Sequence, residues 1–157
     1  MKRYTVIALR TPQGVVGINR RQPPFRGMWN LIGGKIEPGE TERHGAMRET
    51  FEETGAELPE PTFDFVGTLD WVVDGDRIGI MYLYVVDTDE RLHLPCDTRE
   101  GILAALDPDW VTLTDNQGIV PDLKPLLPQM LHGHNLDLVA TYRGNNLVSV
   151  IPRPSAD

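Results

Sequence analysis

The chain has 157 residues, 40% hydrophobic and 24% charged, the balance of an ordinary globular protein, and its length suits a single domain over residues 1–157 around one core. Against 15 basic residues stand 23 acidic ones, a net charge of −8; such a surface repels polyanions and argues against duplex nucleic acid as a partner. No apolar run approaches the ~20 residues of a membrane helix, Cys96 has no second cysteine to pair with, and Met1 to Ile7 lacks a secretory-signal pattern, so a reducing cytoplasm is the expected setting.

Tyr4 to Leu9 and Val15 to Ile18 are short β-branched runs separated by Thr11-Pro12-Gln13-Gly14, which has turn chemistry; together they predict a hairpin. Arg20 to Met28, with two prolines and a glycine, reads as loop, and Trp29 to Ile32 as a strand running into Gly33-Gly34. A helix is expected from a Thr41 cap to about Thr54, with Glu42 in its first turn and Gly55 as its C-terminal cap. Phe63 to Val73 and Ile78 to Val86 are strand-rich around an Asp74-Gly75-Asp76 turn. Asp87 to Arg99 is polar and loop-like. Pro121 to Leu131 has helical character that Pro125 and Pro128 limit to short turns or kinks. Asp137 to Tyr142 and Leu147 to Ile151 form a closing hairpin around Gly144-Asn145-Asn146. Many strands with two helical segments indicate an α+β or mixed α/β architecture.

Within the expected helix, Glu49, Glu52 and Glu53 stand at spacings i, i+3 and i+4, which places them on one face. Like charges this close repel, and a divalent cation removes the conflict, because hard carboxylate oxygens suit Mg²⁺. Met47 and Phe51 are expected on the opposite, core-facing side. Arg48 flanks the acidic face and can hold a glutamate by a charge-assisted bond. The preceding loop, Gly33-Gly34-Lys35-Ile36-Glu37-Pro38-Gly39-Glu40, lets backbone groups approach an ion or phosphate closely, and Lys35 can neutralise a phosphate oxygen.

Gly34, Glu40, Arg48-Glu49, Glu52-Glu53 and Gly55, in this spacing, resemble the Nudix box at every glycine and charged position. Thr50 and Ala56 depart from it, standing where the family has bulky aliphatic residues. The resemblance implies the Nudix fold, a mixed sheet between helices, and Mg²⁺-dependent (or Mn²⁺-dependent) attack of water on a diphosphate linkage. It implies metal ligation by the Gly33 carbonyl and by Glu49, Glu52 and Glu53, with Glu40 and Arg48 in support. Two general-base candidates remain, Glu53 in the box and Glu100 in the later loop Asp97-Thr98-Arg99-Glu100-Gly101.

For substrate, the resemblance points to a nucleotide, handled by a monomer or homodimer. Arg21 is the better positional match of Arg20-Arg21 for a phosphate contact. Trp29-Asn30 resembles a pair in the enzymes that clear oxidised purine nucleoside triphosphates, where the asparagine bonds the base; for Trp29, core packing is the expectation. Asp115-Asn116 resembles the acidic pair that reads the purine there, with an amide in place of the second carboxylate; a turn or capping pair is the alternative. The expected activity is release of pyrophosphate from a nucleoside triphosphate, with 8-oxo-dGTP as a candidate. Another nucleoside diphosphate derivative, an RNA cap, or a nucleotide sensor that does not cleave are the competing readings.

Overall fold

The computed structural model describes residues 1–155. Among them, nine strands form one mixed sheet: β1 (Lys2–Thr11), β2 (Gly14–Arg20), β3 (Trp29–Lys35), β4 (Phe63–Val73), β5 (Asp76–Asp87), β6 (Cys96–Asp97), β7 (Gly101–Leu106), β8 (Leu136–Arg143) and β9 (Asn146–Pro152). Their spatial order is β6-β7-β2-β3-β1-β5-β4-β8-β9. Two pairings are parallel, β1 with β5 and β4 with β8. The helices are α1 (Glu42–Thr54), the one-turn α2 (Pro108–Val111) and α3 (Leu123–His132). No helix among the described residues is long and apolar enough to cross a membrane.

Strand alternation divides the core in two. On β1, Ile7 and Leu9 join Ile32, Val86 and Ala46 of α1, whereas the intervening Ala8 joins Leu69, Leu83 and Leu138 beneath α3. The sheet therefore lies between α1 and α3, as the expected fold class requires.

The structure departs from the sequence reading in four places. The first hairpin pairs only beside its turn, at Arg10↔Val15 and Thr11↔Gly14; beyond that β3 inserts between β1 and β2 and bonds to both. Cys96–Asp97, in the stretch read as loop, is a two-residue strand against β7. The segment with two prolines is a continuous ten-residue helix. Pro125 lies in its first turn, where no N–H donor is needed, and the bond lost at Pro128 is offset by burial of Leu123, Leu126, Leu127 and Met130 along one stripe.

The fourth departure is Phe51, which is 53% exposed. The side of α1 against the sheet carries Gly45, Ala46 and Thr50, with Met47 packed at its margin. Small side chains bring the helix close to the strands and leave no room for a phenyl ring. Thr50 is fully buried and donates its hydroxyl to the Ala46 carbonyl at 2.8 Å, so its polar atom is satisfied.

Truncating Leu127 to Ala should cost about 2–5 kcal/mol of stability, and truncating Phe51 to Ala less than about 0.5 kcal/mol. Urea denaturation of the two variants distinguishes these, and a large loss at Phe51→Ala would contradict the packing of α1.

Candidate active site

The end of β3 runs close against the main chain of β1 and against the Glu49 side chain of α1. At Gly33 (φ 150°) an added Cβ would lie 2.0 Å from the Thr5 carbonyl oxygen, and at Gly34 one would lie 2.4 Å from Oε1 of Glu49. Only glycine fits at position 33, where the obstacle is main chain and φ is positive, whereas at position 34 the Glu49 side chain would have to move aside. Thr41 accepts from the His44 N–H at 3.1 Å to start the helix, and Gly55, at φ 75°, ends it by donating its N–H to the Phe51 carbonyl.

Arg48 joins the two elements. Its Nε and Nη2 donate to the two carboxylate oxygens of Glu40 at 2.8 and 3.0 Å, and Nη2 also reaches the Lys35 carbonyl at 2.9 Å. Its Nη1 donates to Glu49 at 3.0 Å and to Glu52 at 3.2 Å. Glu40 in turn accepts from the Glu37 N–H at 3.0 Å. These bonds hold the Glu40 carboxyl below the usual range and push the Arg48 guanidinium further up.

Glu53 has no such partner. Burial is the largest influence on its carboxyl, and Glu49, Glu100 and Glu52 add like charge, against a single backbone hydrogen bond at Gly33; together they push it up to about 8. Its Oε2 is buried with no hydrogen-bond partner. The Glu49 carboxyl is also raised, chiefly by burial, despite Arg48. An orphaned buried oxygen among hard carboxylate donors fits a divalent cation. Among the described residues, however, no three carboxylates converge as a finished ligand shell: Arg48 holds one oxygen each of Glu49 and Glu52, and Glu52 is 55% exposed.

Beside this corner lies a cavity of about 380 Å³. Tyr4, Phe25, Trp71, Met81 and Tyr142 supply much of its apolar and aromatic lining, Asn30 and Asp122 are among its polar lining, and Gly33, Gly34, Lys35, Arg20 and Glu100 also border it. A second cavity of about 60 Å³ is lined by Arg20, Gly33, Glu53 and Glu100 among others. Gly33 and Glu100 thus border both spaces.

The model of the NUDIX domain matches residues 1–130. The chain belongs to the Nudix hydrolase family. The Nudix hydrolase YvcI of Bacillus subtilis is 31% identical over 92% of this chain and 82% of its own. An oxidized purine nucleoside triphosphate hydrolase of mouse is 30% identical over 70% of this chain and 65% of its own. A crystal structure of a MutT mutator protein from Bacillus halodurans shares the fold, with a TM-score of 0.75 over 99% of both chains at 23% identity.

Relative to this Nudix corner, the residues singled out from sequence divide. Gly33, Asn30, Lys35 and Glu100 border the large cavity, and Glu53 the small one. Trp29 packs partly buried against the α3-side core. Arg21 does not line either cavity; it is 45% exposed and paired with Asp97. Arg20 is on the cavity wall instead, its Nε donating to the Pro24 carbonyl at 2.8 Å. Adjacent residues leaving a strand point to opposite faces, so a shift of one residue decides which arginine faces inward. Asp115 and Asn116 also lie outside the cavities, Asp115 exposed and Asn116 half-buried. Asn116 closes a turn, donating to the Trp110 carbonyl at 2.9 Å and accepting from the Gly118 N–H at 3.0 Å.

The acidic group the cavity does contain is Asp122, 8% exposed, which sequence reasoning passed over. It occupies the N-cap position of α3, yet its side chain makes no capping bond. Burial pushes its carboxyl up to about 6, although the Tyr142 hydroxyl beside it works in the other direction. The available signal was one carboxylate set between the apolar residues Ile119-Val120-Pro121 and Leu123. A lone acid there is either a cap or a buried reader.

The Glu53 shift has a pH consequence. Folding raises this carboxyl from 4.5 to about 8, so the folded chain keeps a proton that the unfolded chain releases. Its contribution is complete below pH 4.5 and is lost as pH rises through about 8. Denaturation in EDTA across this range should show a steeper loss of stability for the wild type than for Glu53→Gln. Parallel curves would contradict the burial of an unpartnered carboxyl.

Proposed function

We propose that this Nudix hydrolase is a metal-dependent nucleoside triphosphate diphosphatase that takes a purine nucleotide and yields a monophosphate and pyrophosphate. The observation that carries the reading is adjacency: the cavity lined by aromatic residues, Asn30 and Asp122 is bordered also by Gly33, Gly34, Lys35 and Glu100, and the Glu49 carboxylate of the acidic helix lies against Gly34. A base seated there directs its phosphates towards α1. The purine assignment is also supported by the mouse relative, whose name specifies oxidized purine nucleoside triphosphates, which makes 8-oxo-dGTP a substrate to test.

The base contacts follow from donor and acceptor inventory. The Asn30 Oδ1 already accepts from the Leu31 N–H at 2.9 Å, which leaves the amide NH₂ to donate to a ring carbonyl. Asp122, next to the Tyr142 hydroxyl, accepts a ring N–H when ionised. Tyr4 and Trp71, in edge-to-face contact at 6.2 Å, exclude water from the base.

At the other end, the Gly33 carbonyl and Glu49, Glu52 and Glu53 would hold Mg²⁺, with Mn²⁺ an acceptable substitute. A bound divalent ion neutralises phosphate charge and acidifies water. Arg48 keeps Glu49 in place, Arg20 and Lys35 take phosphate oxygens, and Glu53 or Glu100 receives the proton of the attacking water.

With Mg²⁺ and a panel of 8-oxo-dGTP, dGTP, dATP and ADP-ribose, the products should be pyrophosphate and a monophosphate from a purine triphosphate. Inorganic phosphate as the sole phosphate product, or turnover of ADP-ribose alone, would sink the reading. Tight binding with no turnover would indicate a sensor. Glu53→Gln should lower kcat by about 10²- to 10⁴-fold. Asn30→Ala and Asp122→Asn should each lower kcat/KM for the preferred purine by about 10- to 100-fold, most of it in KM. Unchanged discrimination between dGTP and dATP in both variants would remove these residues from base recognition.

A further inference from the structure

Arg21 holds a turn instead of lining a cavity, and that turn carries Glu100. The Asp97–Gly101 segment reverses the chain tightly between β6 and β7. The Thr98 N–H donates to the Gly101 carbonyl at 2.9 Å, the Gly101 N–H returns to the Thr98 carbonyl at 3.3 Å, and the Thr98 hydroxyl reaches the Gly101 carbonyl at 2.6 Å. Gly101 permits the reversal: at φ 149°, an added Cβ would lie 1.9 Å from the Asn19 carbonyl oxygen. The turn is thus pressed onto the end of β2, where Arg20 pairs with Gly101.

One residue beyond that last rung, Arg21 grips the turn twice. Its N–H donates to the Glu100 carbonyl at 3.2 Å, and its guanidinium pairs with the Asp97 carboxylate. The two contacts fall on either side of Thr98-Arg99. The Glu100 side chain, meanwhile, borders both cavities, and its charge reaches Glu49 and Glu53. A carboxylate on a turn drifts away from two others unless something outside the site holds it there.

We propose that Arg21 is a positioning residue which, through Asp97, holds the 97–101 turn so that Glu100 faces Glu53 across the small cavity. The proposal rests on the hydrolase reading of this corner and assigns Arg21 no contact with substrate. It separates the two adjacent arginines: Arg20 on the cavity wall acts on binding, Arg21 behind the turn acts on the placement of a carboxylate.

Steady-state kinetics with the triphosphate that the wild type turns over best provide the test. Arg21→Ala and Asp97→Ala should each lower kcat about two- to fivefold, the shift that losing an exposed ion pair can produce, with KM unchanged. The double variant should be no worse than either single one, the exchange Arg21→Asp with Asp97→Arg should recover activity, and Arg21→Ala should add nothing in a Glu100→Gln background. Arg20→Ala should instead raise KM. Independently of activity, hydrogen exchange at the amides of 98–101 should quicken in Arg21→Ala. A raised KM in Arg21→Ala, additive losses with Asp97→Ala, or unaltered exchange in the turn would overturn the proposal while leaving the hydrolase reading intact. An inactive wild type would overturn that reading and this inference together.

Discussion

Arg48 is bonded directly to Glu49 and Glu52 of the acidic helix, and the geometry of the corner depends on it. It bonds Glu40, Glu49 and Glu52 and the main chain of Lys35. Five N–H donors in a fixed planar fork make this possible; a lysine, with a single point charge, could not span the loop and the helix together. The consequence is asymmetry. Carboxylates within reach of Arg48 each accept a hydrogen bond from it, whereas one oxygen of Glu53 is buried without a partner. One arginine thus sorts four glutamates into three that are held and one that is left uncompensated.

The glycines make that sorting matter. Because the Glu49 carboxylate occupies the space a side chain at position 34 would take, and Gly33 borders both cavities, the end of β3 delivers main-chain groups to the position where the carboxylates concentrate. The packing of α1 through Gly45, Ala46 and Thr50 brings the helix close enough for this. The residues in the two box positions that depart from the family, Thr50 and Ala56, are both buried and small. Here they suit a closely seated helix, with the threonine hydroxyl returned to its own helix.

Local chemistry was legible in the sequence; long-range placement was not. The caps at Thr41 and Gly55, the strand at Trp29, the closing hairpin and the common face of the three glutamates follow from spacing and residue type over a few positions. The insertion of β3 between β1 and β2 does not, since adjacency in sequence favours a simple hairpin and the competing partner lies on a third strand. The same limit applies to the residues proposed to bind substrate. Arg20 and Arg21 differ only in which side of a strand end they leave, and Asp115-Asn116 and Asp122 differ only in which side of a bend they fall. Polar pairs in a loop attract attention, yet in a cavity the informative acid is the isolated one between apolar neighbours. Phe51 misled for a related reason: its hydrophobicity implied burial, but the inward face had already been taken by smaller residues.

A chain of net charge −8 would have a difficulty with the polyanionic substrate proposed for it, and the corner around Glu53 offers a way to confine that difficulty. Excess negative charge is concentrated where Glu49, Glu53 and Glu100 influence one another, while Arg20 and Lys35 stand at the rim of the cavity. Repulsion among the carboxylates can be relieved by a proton on Glu53 or by a cation between the glutamates. Both relieve the same electrostatic cost, so they compete. Protonation would preserve the fold but remove the proposed ligand; a cation would restore that ligand and add the positive charge that phosphates need. In the proposed hydrolase, the arrangement that is costly for the helix alone would therefore tie phosphate affinity to a divalent ion, through residues whose positions are set by a glycine backbone and a single guanidinium.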